Sequence, residues 1–215
     1  MPDPSQPPLP PGATAAAGFW EARYRARDTG WDIAQAAPPI VEWFSGPDAP
    51  PPGQRVLVPG AGRGHDALFL AQRGDRVVAV DFAASALAAI RRRRRALGLA
   101  PDRCRTLRAD VLRLGERFAG QFDLLVEYTC YCAIDPGDRD AYAAMAAKVL
   151  RPGGLLVGLF FPFRTGTPGP PFPVSGPEIR ERFAAAFEVE TWITPTSSIE
   201  RRQGEERLVV FRRRG

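Results

Sequence analysis

Apolar and polar positions fall into two regimes along the chain. Residues 1–17 are rich in Pro, Ala and Gly and show no hydrophobic periodicity. That pattern predicts a disordered tail, with order beginning near Phe19-Trp20. Residues 19–44 hold Phe19, Trp20, Tyr24, Trp31, Trp43 and Phe44, and suit two short helices separated by a turn at Thr29-Gly30. From Arg55 onward, short apolar runs alternate with helix-periodic segments. The runs predict strands at Arg55–Val58, Arg76–Val80, Cys104–Leu107, Phe122–Glu127 and Leu155–Phe160. Helices are expected between them at about Asp66–Gln72, Ala83–Leu97, Val111–Phe118 and Asp138–Leu150. A proline- and glycine-rich stretch then leads to a helix near Gly176–Ala186 and strands around Glu188–Ile193 and Arg207–Arg212. Strands that are apolar throughout and joined by helical crossovers imply an α/β fold with a parallel sheet covered on both faces. The expected organisation is the tail, 1–17, followed by one domain, 18–215.

Composition narrows the class. With 215 residues, 45% hydrophobic and 25% charged, the chain is long enough to bury a core as one globular domain. No apolar run reaches the roughly 18 residues that span a bilayer. The N-terminus has prolines instead of basic and apolar regions, so a secretory signal is not expected and the cytoplasm is. Cys104, Cys130 and Cys132 cannot all pair with one another and lack zinc-like spacing, so they read as buried, inert thiols, and no metal site is expected. His65 is the only histidine, which leaves no second imidazole for a dyad. The net charge is +5, and all but one of the 29 basic residues are arginine, which suits phosphate recognition. However, the run Arg91–Arg95 points all round its helix, and a solvated surface explains it better than a groove-reading face.

The strongest local signal is "VLVPGAGRGHDALFL", residues 56–70, a strand running through a glycine turn into a helix. Glycines permit positive φ and close approach to a ligand. A dinucleotide turn reads G-x-G-x-x-G with pyrophosphate on the helix N-terminus. Here Gly64 comes one position early and His65 stands where the last glycine would be, so pyrophosphate is disfavoured. The second strand leads to Asp81, 21 residues after Gly60, where a carboxylate can accept both hydroxyls of a ribose. That position fits either NAD or S-adenosylmethionine. Asp110 follows the third strand. Both aspartates also read plainly as loop and helix N-cap residues.

With these blocks in place, the chain resembles class I S-adenosylmethionine-dependent methyltransferases, and among them the thiopurine methyltransferase superfamily, especially its thiol and halide methyltransferases. The matching blocks include "FWEARY…TGWD", "VLVPGAGRGHDA", "VVAVDFAASAL", "FDLLVEYTCYCAIDP", "LRPGGLLVGLFFP" and "GPPFPVS". The resemblance implies a Rossmann-like, doubly wound, seven-stranded, mostly parallel sheet, with 18–45 forming lid helices. It implies S-adenosylmethionine as cofactor. Trp20, Tyr24 and Trp31 would cover it, Gly60 and Gly62 would approach its methionine end, Asp81 its ribose, and Asp110 and Val111 its adenine. Tyr128 would border the reacting methyl, with no residue assigned as acid or base. Cys130, Tyr131, Phe161, Pro162 and Phe172 would form the acceptor pocket. Tyr24 stands in place of a family tryptophan and Ala61 in place of a cysteine. Phe172 replaces a tyrosine of the plant enzymes, which favours a neutral or organic thiol over halide or thiocyanate. Arg164, Arg201 and Arg202 could supply positive charge near the mouth of the pocket, and read more simply as surface residues. The expected partner is a small thiol or other soft nucleophile, with no membrane, nucleic acid disfavoured, and a monomeric state. The competing readings are a nucleic-acid methyltransferase and a non-catalytic S-adenosylmethionine-binding regulator.

Overall fold

The computed structural model describes residues 12–164 and 169–215. Seven strands form one sheet: β1 (Arg55–Val58), β2 (Arg76–Asp81), β3 (Cys104–Arg108), β4 (Phe122–Tyr128), β5 (Leu150–Phe160), β6 (Phe187–Ile193) and β7 (Arg207–Arg213). Their order is β3-β2-β1-β4-β5-β7-β6. The first five are parallel, and β7 is antiparallel to both neighbours. The reversal follows from the connection: residues 194–206 hold only one 3-10 turn, Glu200–Arg202, and without a crossover helix β7 must return antiparallel.

The helices are α1 (Ala17–Arg25), α2 (Pro38–Ser45), α3 (His65–Arg73), α4 (Ala84–Ala96), α5 (Leu114–Arg117), α6 (Arg139–Val149) and α7 (Gly176–Ala184). Strand side chains alternate between two cores. Val56, Val58, Leu124, Val126 and Val157 face Ile40, Phe44, Leu68 and Ile90 on one side. Leu57, Leu125, Leu156 and Phe160 face Tyr142, Met145, Val149 and Phe183 on the other. Burial on both faces is why these strands read as continuous apolar runs. Among the described residues, no helix is long and apolar enough to cross a membrane.

Several boundaries differ from expectation. Of the tail assigned to 1–17, residues 1–11 lie outside the described residues. Beyond them Ala13–Ala15 form a 3-10 turn and α1 begins at Ala17. Thr14 is buried and its carbonyl accepts from Trp20 Nε1 at 2.8 Å, so structure starts earlier than Phe19. The helix expected over Val111–Phe118 is a 3-10 turn, Val111–Arg113, followed by the single turn of α5. β5 starts five residues earlier than expected, at Leu150, because the turn-like Arg151-Pro152-Gly153-Gly154 is absorbed as an irregularity in the β4 pairing. The arginine run is only partly solvated. Arg94 is 9% exposed, and its Nη1 donates to the Cys104 carbonyl at 3.0 Å.

The early third glycine is explained by packing. Gly64 has φ +77°, and a Cβ there would lie 2.6 Å from Ile90 Cγ1 on α4. Left-handed backbone costs a non-glycine residue about 1–2 kcal/mol, and overpacking a core adds about 1–3. Gly64→Ala is therefore expected to lose roughly 2–5 kcal/mol of stability in denaturant unfolding. A midpoint equal to wild type would show that α4 can move aside.

Candidate active site

The glycine turn lies at the carboxyl end of β1, where the sheet order reverses between β1 and β4 and ligands of such sheets bind. Gly60 (φ +56°) and Gly62 (φ +53°) bend it. Two bonds hold it against β2: Ala61 N donates to the Val80 carbonyl at 2.8 Å, and Gly62 N to Asp81 Oδ2 at 2.8 Å. Asp81 Oδ1 also accepts from Ala83 N at 2.8 Å. Burial raises the pKa of this carboxyl above the ordinary range. Gly60 is also demanded by its neighbour, since a Cβ would meet Cys130 Cβ and Sγ at 2.7 Å. The turn thus abuts the loop after β4 directly.

In front of the turn lies a cavity of about 400 Å³, within the range of small-ligand sites. Trp20, Tyr24 and Trp31 form part of its wall. Their rings meet edge to face, with centroids 5.5 Å apart for Trp20–Trp31 and 5.6 Å for Tyr24–Trp31. Gly60, Asp81, Asp110 and Val111 also line it. Asp110 Oδ1 accepts from Leu112 N at 2.9 Å, so it caps the following turn and faces the cavity at once. Gly62 and Tyr128 line instead a smaller hollow of about 50 Å³ beneath the turn, which shares Trp31, Gly60 and Thr129 with the main cavity.

The segment carrying Trp31 is anchored by charged groups. Asp32 accepts from Arg63 Nη1 at 2.8 Å and lies 3.0 Å from His65 Nε2. The bond from His65, with Arg63 beside it, holds the Asp32 carboxyl well below the usual range. Asp66 Oδ1 accepts from Ala37 N at 2.8 Å, and burial pushes its carboxyl up to about 6. His65 thus helps anchor the segment that carries Trp31, and Gly64 is the N-cap of α3.

Cys130, Cys132, Ile134, Phe161, Pro170 and Pro171 also line the cavity, together with the charged Asp135, Asp138, Arg164, Arg202 and Glu205. Of the five residues expected at the acceptor pocket, Cys130 and Phe161 line it. Tyr131, Pro162 and Phe172 do not. The 3-10 turn Tyr131–Ala133 rotates Tyr131 into the core. Its ring packs on Tyr142 and Phe160, and its hydroxyl donates to Glu178 Oε1 at 3.1 Å. Pro162 is buried behind Phe161, and its carbonyl accepts from Val174 N at 3.0 Å. Phe172 acts through its backbone, N donating to the Cys132 carbonyl at 2.7 Å. The specificity argument drawn from its missing hydroxyl therefore has no support in the lining.

Two features escaped the sequence. Glu127 is 1% exposed at the end of β4. Its Oε1 accepts from Cys130 N at 3.0 Å and Tyr131 N at 2.8 Å, and its Oε2 from the Tyr142 hydroxyl. It shapes the loop that presents Cys130 to the cavity. The available signal was a carboxylate inside the strand "FDLLVEY", separated from Asp123 by three apolar residues. The second is the burial of Arg202, which the sequence offers only as a pocket-mouth or surface residue: it is 3% exposed and lines the cavity. Nothing in the sequence distinguishes it from Arg201 beside it, which is exposed. Arg164 is intermediate, its side chain 24% exposed and 3.8 Å from Glu205.

A 3-2-1-4-5-7-6 sheet with an antiparallel seventh strand, a glycine turn after β1 and a carboxylate closing β2 defines the class I S-adenosylmethionine-dependent methyltransferases. The chain belongs to the thiopurine S-methyltransferase family, whose sequence profile matches residues 15–214. It is 31% identical over 200 residues to probable thiol methyltransferase 2 of Arabidopsis thaliana, covering 90% of this chain and 84% of that one. Thiocyanate methyltransferase 1 of the same plant is also 31% identical, over 198 residues, with 91% and 84% covered. The fold matches the Burkholderia thailandensis 1,6-didemethyltoxoflavin-N1-methyltransferase, solved with S-adenosylhomocysteine, at a TM-score of 0.73 and 21% identity, over 99% of this chain and 94% of that one. The cofactor is S-adenosylmethionine. The residues present fit it: an aromatic wall for a soft cation, Asp81 for paired hydroxyls, and a turn that admits close approach.

Proposed function

We propose that the protein transfers a methyl group to a small soft nucleophile, an organic thiol foremost, by in-line displacement. The observation that carries this is one cavity lined both by the aromatic and acidic residues Trp20, Tyr24, Trp31, Asp81 and Asp110 and by the apolar Cys130, Ile134 and Phe161. S-adenosylmethionine, when bound, supplies an electrophilic methyl group on a sulfonium. Trp20, Tyr24 and Trp31 would shelter that cation, Asp81 would hold the ribose, and Asp110 and Val111 the adenine. Gly60 and Gly62 would lie along the methionine end, with Tyr128 bordering the methyl.

The rest of the chemistry is positioning. Aligning the reacting atoms and excluding water can supply several kcal/mol. Cavity-lining hydroxyls and thiols are poor bases: burial raises Tyr24 above the ordinary phenol range, and burial together with Glu127 pushes the Cys132 thiol up to about 12. The chain's one histidine lines the smaller hollow and faces Asp32. An acceptor that ionises by itself near neutrality suits such a site better than an alcohol does. On this reading the protein works as a cytoplasmic monomer on a small molecule.

S-adenosylhomocysteine release across a panel of hydrosulfide, thiophenols, thiopurines, thiocyanate, iodide and a phenol tests this. Turnover of the thiols without the phenol is expected. No turnover by samples that bind S-adenosylhomocysteine would overturn the proposal in favour of a macromolecular substrate or a regulatory role.

A further inference from the structure

Three non-glycine residues among those described have positive φ: Arg27 (+58°), Ala34 (+62°) and Thr129 (+60°). Only Thr129 is β-branched, and for such a residue this backbone conformation is a genuine outlier. Strain of this kind persists where the surroundings enforce it, and it collects at ligand sites. The enforcement is visible on both sides. Before Thr129, the Tyr128 hydroxyl donates to Glu206 Oε1 at 2.9 Å. After it, Glu127 Oε1 accepts from Cys130 N at 3.0 Å and from Tyr131 N at 2.8 Å. The Thr129 carbonyl itself accepts from Cys132 Sγ at 3.5 Å. Glycine would adopt the same backbone freely, so the loop geometry alone does not account for a threonine.

Its position does. The main cavity and the smaller hollow share only Trp31, Gly60 and Thr129. In the placement proposed above, the nucleoside lies by Asp81 and Asp110 and the methionine end along Gly60 and Gly62. The sulfonium joins those two parts, so it falls at the shared residues. Trp31 offers an aromatic face there and Gly60 only backbone, which leaves Thr129 Oγ1 as the one side-chain oxygen. Thr129 is half-buried, and its hydroxyl, which makes no hydrogen bond among the described residues, keeps accessible surface. Resting on that placement of the cofactor, we propose that Thr129 recognises the sulfonium charge. Its hydroxyl oxygen is set against the positive centre, and the residue thereby favours S-adenosylmethionine over the neutral thioether that remains after transfer.

The test compares two ligands that differ by one methyl group and one charge. Isothermal titration gives Kd for S-adenosylmethionine and for S-adenosylhomocysteine on each variant, with no acceptor present and so no turnover. Contacts between an oxygen and polarised C–H groups are worth about 2–5-fold in affinity. Thr129→Val keeps the branched shape without the hydroxyl. It is expected to bind S-adenosylmethionine about 2–5-fold more weakly and S-adenosylhomocysteine as wild type does. Thr129→Ser retains the oxygen and should keep the wild-type ratio of the two. Thr129→Gly removes the hydroxyl and the strain together. Its Tm should equal or exceed that of wild type, with the same selective loss, which covers the case in which the valine variant fails to fold. A purely structural role predicts that the Val and Gly variants weaken both ligands equally or neither, and that result overturns the proposal. Asp81→Ala, titrated alongside, separates the two readings. A wild-type Kd for both ligands in that variant overturns the cofactor placement. Loss of both there, with an unchanged ratio in Thr129→Val, overturns only the role of Thr129.

Discussion

Asp81→Ala is expected to weaken S-adenosylhomocysteine binding by about 100-fold or more and to abolish turnover at ordinary cofactor concentrations. Asp81 is 8% exposed and does two jobs at once. Its carboxylate fastens the glycine turn through Gly62 N and the start of α4 through Ala83 N. It also lines the cavity, where on the proposed reading two ribose hydroxyls would donate to it. Hydrogen bonds to a charged group contribute about 1.5–3 kcal/mol each, and each 1.4 kcal/mol is a factor of ten in affinity. Losing two of them accounts for the expected effect before any loosening of the turn. Asp81→Asn keeps an acceptor without the charge and should fall between the two. Isothermal titration with S-adenosylhomocysteine measures both variants, and an unchanged Kd for the alanine variant would sink the ribose assignment.

Glu127→Ala is expected to be the most destabilising single substitution in the site. It removes the acceptor of Cys130 N, Tyr131 N and the Tyr142 hydroxyl in a buried setting. Each buried donor left unpaired costs about 1–3 kcal/mol, so the total is roughly 3–9 kcal/mol against a typical stability of about 5–15. Glu127→Gln retains an oxygen for the two backbone donors and should lose far less. The pair also carries a pH signature. Burial, opposed by its hydrogen bonds, pushes the Glu127 carboxyl up to about 7, whereas an unfolded glutamate sits near about 4.3. The folded state therefore binds the proton more tightly. The contribution is fully present below about pH 4.3 and is lost as pH rises through about 7. Wild-type stability should thus decline between about pH 5 and 8, and Glu127→Gln should flatten that slope. Parallel wild-type and Gln profiles in denaturant unfolding would contradict the assignment.

The sheet was legible because both of its faces are buried. Val56, Leu57 and Val58 are all apolar, although they serve two different cores, and such runs announce themselves whatever they pack against. Gly60 and Asp81 were legible for a related reason: their roles follow from local backbone geometry and from position at a strand end. Elements whose form depends on distant partners were not. The start of β5 looked like a turn until its pairing with β4 absorbed Pro152 and Gly153. Tyr131 and Cys130 were indistinguishable as pocket residues until one 3-10 turn sent the first into the core and left the second against Gly60.

By itself, then, the amino-acid order determined the α/β class, the number of strands, the glycine turn with its acid 21 residues later, and through those blocks the family. These are properties of periodicity and spacing, which neighbouring residues carry in one dimension. Which side chains meet in the cavity was decided only in three dimensions. Arg201 and Arg202 are chemically identical neighbours, and one is exposed while the other lies beneath Trp31, Tyr128 and Phe161. The difference arises because only Arg202 meets the Trp31 carbonyl and the Tyr128 hydroxyl, partners far away along the chain.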